Sequence, residues 1–300
     1  MQKAPRVVRA RGGRGRRRWE AAIGLVLGLL LVPFTAALTA AEDVPALTAL
    51  ATAALPPDAQ AANAAPSADP ASDAATAAGA TAPLARHVVG LGDSVPAGSA
   101  CACTDYVNLL AGRLGEKVTS TNLAVPGQTT SGLLDQLSSS ADVRSALADA
   151  DVVIVTVGAN DVEATDPSDC DSSDDGPQCY SGELTTLTQN LDRVAAAVAA
   201  QATRPGARIL LTGYWNVFLD GTAAKAKGAD YVRVADAVTR EVNNRISSAA
   251  AAHGAVFVDL FTPFRGADGS KDCTDLLAAD GDHPDAAGHA LIANALLAAL

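Results

Sequence analysis

Five short runs of β-branched and apolar residues recur in the second part of the chain, at 87–91, 118–125, 152–157, 208–214 and 255–261. The third, Asp151-Val152-Val153-Ile154-Val155-Thr156-Val157, is almost continuously apolar. A strand with one solvated face alternates, whereas a continuous run is that of a strand buried on both faces; this predicts a parallel sheet covered by helices. Between the runs the period lengthens. Segment 182–202 carries Leu184, Leu187, Leu191, Val194 and Val198, and segment 229–252 carries Tyr231, Val232, Val234, Val238, Val242 and Ile246. Spacing of three to four residues lines one face of a helix. Segments 106–114 and 286–300, the last rich in Ala and Leu, complete the helical set. Strands alternating with helices predict right-handed βαβ units in one α/β domain. No internal repeat interrupts the pattern.

This patterning begins only at Arg86. Residues 42–85 are mostly Ala, Pro, Ser, Thr and Asp, with few large side chains. Such a segment buries too little apolar surface to offset its ordering entropy and reads as a disordered linker. Residues 1–20 hold seven Arg and one Lys against one Glu, followed by an apolar run at 21–41 broken by Pro33. A basic start before an apolar stretch is an export signal. Thr39-Ala40-Ala41 offers a small-residue cleavage site, yet the run is also near the ~20 residues that span a bilayer. Two readings follow: a cleaved signal peptide and a secreted protein, or an anchor holding the domain outside the cytoplasmic membrane. The organisation is then 1–41 signal or anchor, 42–85 linker and 86–300 folded domain, expected to be a monomer.

Charge narrows the partners. The whole chain carries −11 at pH 7; without its first twenty residues it holds 14 basic and 32 acidic residues, a net of −18. A surface this acidic repels phosphate backbones, which excludes nucleic acid as a partner. The basic N-terminal run suits positive-inside topology instead. Membrane contact is expected only through an uncleaved N-terminal anchor.

In a parallel α/β sheet, function collects where the carboxyl ends of strands meet loops. Ser94 follows the first run, within Gly90-Leu91-Gly92-Asp93-Ser94-Val95-Pro96. Gly127 follows the second, and Asn160, in Gly158-Ala159-Asn160-Asp161, follows the third. Asp280 and His283, in Asp280-Gly281-Asp282-His283-Pro284, precede the last helix. A serine at a strand-to-helix junction exposes its hydroxyl and sets its amide near a helix N-terminus, where anions are favoured. Pro96 stands where the Gly-x-Ser-x-Gly elbow needs its second glycine, which argues against an α/β-hydrolase. Of four histidines, His87 opens the first run, His253 reads as a helix C-terminal residue and His289 lies inside the last helix; His283 remains as general base. Asp280, three residues earlier, is favoured over the adjacent Asp282 to accept from its ring and fix the tautomer. The Ser94 amide, the Gly127 amide and the Asn160 side chain are candidate donors to an oxyanion. Asp93 and Asp161 read as structural, tying loops to backbone amides.

These blocks resemble, in their order, those of the SGNH (GDSL-type) hydrolases. Gly92-Asp93-Ser94 matches the first block, with Val95 where the name-giving motif often has leucine; Gly127 matches the second, Gly158-x-Asn160-Asp161 the third and Asp280-x-x-His283 the fifth. The resemblance spans about residues 87–290. It implies a flavodoxin-like three-layer α/β/α sandwich on a five-stranded parallel sheet, and cleavage of carboxylic esters of lipids, sugars or small alcohols without a cofactor. Acyl transfer at the same site, and a non-catalytic surface-binding module, are the alternative functions.

Tyr214 and Trp215, after the fourth run, either line an acyl pocket or plug the sheet end. Among five cysteines, Cys170 and Cys179 bracket a polar loop and are expected to pair. Cys101, Cys103 and Cys273 leave one thiol over: a bridge from the Cys101/Cys103 segment to Cys273, or a direct Cys101–Cys103 bridge through a tight turn. A Cys-x-Cys metal site lacks a nearby second ligand pair in the sequence, so no metal is expected.

Overall fold

The chain enters its sheet at His87–Gly92 (β1), runs through helix Tyr106–Leu114 (α1) and pairs again at Thr119–Asn122 (β2). Helices Thr130–Ser139 (α2) and Ala141–Ala148 (α3) then lead to Val152–Thr156 (β3). Ser181–Gln201 (α4) and Arg208–Thr212 (β4) follow, then Gly221–Lys227 (α5), Ala229–Ala252 (α6) and Val256–Val258 (β5). Phe261–Arg265 (α7) and Ala286–Ala298 (α8) close the domain. This computed structural model describes residues 86–163, 165–170 and 176–300. The signal and linker readings at 1–85 lie outside them.

All strand pairs are parallel, in the order β2-β1-β3-β4-β5. The chain steps from β1 outward to β2, then returns past β1 to add β3, β4 and β5. The direction of winding therefore reverses between β1 and β3. Right-handed crossovers then put α1 on one face, where it meets α8, and α2, α4 and α6 on the other. The expected three-layer α/β/α sandwich is what forms. β3 is buried at all five positions, as a central strand between two helical layers must be.

Local chemistry sets several boundaries. Asp105 starts α1 by accepting from the amides of Val107 and Asn108, and Asp285 starts α8 by accepting from Gly288 N. Hydroxyls buried within the sheet satisfy one another: Thr156 Oγ1 lies 2.5 Å from Tyr106 Oη and 2.7 Å from Thr212 Oγ1, linking α1, β3 and β4.

The strands are shorter than the apolar runs that announce them. β2 occupies only Thr119–Asn122, an entirely polar stretch at the sheet edge, where half-exposed β-branched and polar residues suffice. Val157, Tyr214 and Leu260 continue their runs beyond the ladder because they are buried beneath the loops at the carboxyl edge. Helices α2, α3, α5 and α7 were not expected from the pattern. The first two rest on side-chain caps, Thr129 to Gly132 N and Ser140 to Val143 N, and bury only a few apolar residues.

Candidate active site

Ser94, Gly127 and Asn160 emerge from the carboxyl ends of β1, β2 and β3. The crevice between β1 and β3 is the point of reversed winding, where doubly wound sheets hold their ligands.

The turn bearing Ser94 is fixed by its neighbours. Gly92 pairs with Thr156 and has φ of 126°, and a Cβ there would lie 1.8 Å from the Thr156 carbonyl oxygen. No other residue fits at that point. The next amide, Asp93 N, donates to that same oxygen at 3.0 Å. The Asp93 side chain is 1% exposed. Its Oδ1 accepts from Val95 N at 3.0 Å, and its Oδ2 accepts from the Tyr214 hydroxyl at 2.5 Å. Burial pushes the Asp93 carboxyl up to about 7, against the lowering effect of those two donors; the charges of Glu163 and Asp282 raise it further. Ser94 itself is half-buried, and its hydroxyl has no hydrogen-bond partner among the described residues, His283 included.

Two loops meet beside it. Val125-Pro126-Gly127-Gln128 is a turn closed by Gln128 N donating to Val125 O, with Pro126 at its second position and Gly127 at φ 76°. That is the arrangement of a type II turn, which requires the positive φ of glycine at its third position. Val125 N donates to Gly92 O, holding this loop over the end of β1. Asn160 Nδ2 donates to Gln128 O at 2.9 Å, and the Asp161 carboxylate accepts from Thr130 N at 2.9 Å and from the Thr130 hydroxyl. The loops after β2 and β3 are thus joined. Asn160 uses one amide hydrogen in doing so and keeps a second.

The histidine comes from a loop just before α8. Ala278 N donates to His283 O, Asp285 N to Leu276 O and Asp220 N to Gly281 O, so that the loop is held to the segment after β4. His283 Nδ1 lies 2.8 Å from Asp280 Oδ2 and 3.6 Å from Asp282 Oδ2. Asp280 Oδ1 also accepts from the amides of Asp282 and His283. Partial burial opposes ionisation of Asp280, but these amide donors and the ring together hold its carboxyl below the usual range. Burial raises Asp282 instead, offset in part by His283 and reinforced by Asp280. The geometry therefore favours Asp280 over Asp282 as the partner of the ring.

Glu163 was not singled out from the sequence. It lies in the same loop as Asn160. Desolvation and the charge of Asp282 raise its carboxyl, and His283 lowers it. Its coupling to Asp93 on one side and His283 on the other marks the Ser94 turn and the His283 loop as one electrostatic neighbourhood. The rule that chemistry gathers at the ends of parallel strands would have included it. A cleft of about 230 Å³ adjoins Glu163 and Asp282 and is lined also by Pro167, Phe218 and Tyr231; Ser94, Gly127, Asn160, Asp280 and His283 are not in its lining. A larger cavity of about 390 Å³, beside Arg240, Phe257 and Thr262, holds none of the candidate residues.

Tyr214 and Trp215, expected either to line a pocket or to plug the sheet end, do the second. Each is 1% exposed. Tyr214 is committed to Asp93, and the Trp215 ring stacks on Phe264 with centroids 4.4 Å apart. Their assignment as substrate-binding residues is thereby corrected: Tyr214 holds the carboxyl beside Ser94, and Trp215 packs in the core. Of the remaining histidines, His87 bonds Thr121 at the opposite edge of the sheet, His253 bonds Asp192 and His289 is buried. Cys170 bridges Cys179, with Cα atoms 5.8 Å apart. Cys101 bridges Cys103 directly and Cys273 is a buried free thiol, so the bridge to Cys273 does not form.

No curated protein sequence matches the chain. Its structure is similar to that of phospholipase A1 from Streptomyces albidoflavus NA297, at a TM-score of 0.54 and 23% identity over 72% of this chain and 100% of that one. It is similar also to the extracellular lipase of Streptomyces rimosus, at 0.53 and 22% over 72% and 100%. The lipase Lip_vut3 from a goat rumen metagenome matches at 0.53 and 16% over 71% and 97%. At such identities the likeness establishes the fold. Residues 91–291, about two thirds of the sequence, match the GDSL-like Lipase/Acylhydrolase family. The chain belongs to that family and is a carboxylic ester hydrolase.

Proposed function

We propose that ester cleavage proceeds through an acyl-enzyme on Ser94, with His283 as general base and Asp280 as the carboxylate that orients it. The observation that carries this reading is the 2.8 Å contact of His283 Nδ1 with Asp280 Oδ2 in a loop electrostatically coupled to the Ser94 turn. With Nδ1–H donating to Asp280, the neutral ring presents Nε2 as an acceptor. Nε2 takes the Ser94 proton as Oγ attacks the ester carbonyl, then returns it to the departing alcohol. Water repeats the cycle on the acyl-enzyme. Ser94 and His283 are not hydrogen-bonded here, and such contacts commonly tighten only with substrate in place.

The tetrahedral intermediate carries its charge on the former carbonyl oxygen. Ser94 N, Gly127 N and the second Asn160 amide hydrogen are the donors we assign to it, each worth about 3–4 kcal/mol of barrier when preorganised. The hydrogen bond of Asn160 to Gln128 O supports this, since it holds Asn160 against the Gly127 turn before substrate arrives.

We assign the acyl group to the cleft beside Asp282, the neighbour of His283. Its volume is below the roughly 300–1,000 Å³ of sites for drug-sized ligands, which suits a short acyl chain against Phe218, Pro167 and Tyr231. Glu163, Asp166 and Asp282 at its edge disfavour an anionic group. We assign it neutral or cationic esters of short acids. The basic-then-apolar start and the bridged cysteines support action outside the cytoplasm. Among the described residues no helix is long and apolar enough to cross a membrane.

The test is covalent labelling with an alkyl fluorophosphonate followed by peptide mapping, alongside hydrolysis of aryl esters graded in acyl length. Modification of Ser94 with matching loss of turnover is expected. Undiminished turnover after complete labelling, or a label on another residue that abolishes it, would overturn the assignment.

A further inference from the structure

Cys101 and Cys103 lie in the loop that leaves the Ser94 turn, and His289 lies one turn into α8, six residues past His283. One ligand atom from each of the three residues lies within 4.8 Å of the others. His289 is fully buried, and neither ring nitrogen has a hydrogen-bond partner among the described residues. Its ring rests near Tyr106, with centroids 5.8 Å apart, which occupies its face but neither nitrogen. A neutral imidazole has one donor and one acceptor, and leaving both unmet in a core is rare.

We propose that Cys101, Cys103 and His289 form a binding site for a thiophilic d10 cation, Zn²⁺ or Cu⁺, in the state where the two cysteines are reduced. Two thiolates and an imidazole are the donor set that such ions select. They complete a trigonal Cu⁺ site, or a Zn²⁺ site with water as fourth ligand. Bonds of ~2.3 Å to sulfur and ~2.0–2.1 Å to nitrogen set ligand atoms within 4 Å of one another, a small contraction from the present spacing that we assign to the half-exposed cysteine side chains once the bridge is reduced.

The disulfide and the metal are mutually exclusive. Two electrons and two protons convert the bridge to two thiols; a trialkylphosphine supplies the electrons and becomes its oxide with oxygen from water. Binding the cation then releases both thiol protons. The two states differ in connectivity. The bridge is internal to the loop after Ser94, whereas the metal would join that loop to α8, the helix that follows His283.

The full chain, reduced with a trialkylphosphine and desalted under argon, is to be exposed to Zn²⁺ alone and, separately, to Cu⁺ alone. Bound metal is then read by mass spectrometry of the elements, and Co²⁺ serves as a probe for thiolate charge-transfer absorption. About one equivalent of at least one of the two ions is expected in the reduced chain and none in the oxidised chain. At least a tenfold loss is expected in Cys101→Ser, Cys103→Ser and His289→Leu. Cys273→Ala should bind like the parent, because this buried thiol lies outside the cluster. Circular dichroism reports whether His289→Leu folds; if it does not, the two half-exposed cysteine variants decide. No uptake by the reduced parent, uptake undiminished in both cysteine variants, or loss in a folded Cys273→Ala would overturn the proposal.

Discussion

Asp93→Asn should flatten the dependence of stability on pH, because Asp93 is a carboxyl whose proton the fold retains far above its ordinary range. Burial raises it to about 7, despite the Tyr214 hydroxyl and Val95 N–H that favour its charge. In the unfolded chain an aspartate titrates near ~3.9. Between these values the native state binds more protons than the unfolded state, so stability contributed by this group falls as pH rises. At ~1.36 kcal/mol per unit, holding Asp93 folded costs about 1.5 kcal/mol at pH 5 and about 4 kcal/mol at pH 8, a change of roughly 2.5 kcal/mol. Asn keeps the acceptor for Val95 N–H and the shape, but does not titrate. Urea unfolding of parent and variant, with disulfides intact, at half-unit steps from pH 5 to 8 isolates the contribution of Asp93 as the difference between the two curves. The parent should lose roughly 2–3 kcal/mol more than Asp93→Asn across that span. Parallel curves, within about 0.5 kcal/mol, would show that Asp93 is already ionised at pH 5 and that the Tyr214 and Val95 donors outweigh its burial.

Ser94→Ala and His283→Ala should each abolish hydrolysis of an aryl ester, and the double variant should be no worse than either, since both act in one step; an additive loss would separate their roles. Asn160→Ala should lower kcat by roughly 10²-fold or more with little change in KM if its amide meets the oxyanion; a change confined to KM would place it in ground-state binding. Asp280→Asn should reduce the maximal kcat/KM, because the ring loses the carboxylate 2.8 Å from Nδ1 that orients it. Asp282→Asn, whose carboxylate is 3.6 Å away, should reduce it less; the reverse order would exchange the two residues.

How much of this could be read along the chain depends on how local each signal is. The doubly buried β3 announces itself, since helices on both faces leave no polar position between Val152 and Val155. The edge strand β2 does not: Thr-Ser-Thr-Asn pairs through its backbone, and its side chains carry no pattern. The order of strands was available only through resemblance to a family, because parallel pairing leaves no trace in spacing. The same division runs through the site. Asp280 and His283 are three residues apart, so a turn brings them together. Asp93 and Tyr214 are 121 residues apart, and only the fold shows that an aromatic residue expected to meet substrate or plug the sheet instead holds the carboxyl beside Ser94. His289 is the extreme case. On its own helix it is merely a packed residue, and the sequence supplies no second ligand pair near Cys101 and Cys103. Packing α1 against α8 carries its unpaired ring to those two sulfurs, which is why a cysteine motif dismissed for want of a partner gains one only in three dimensions.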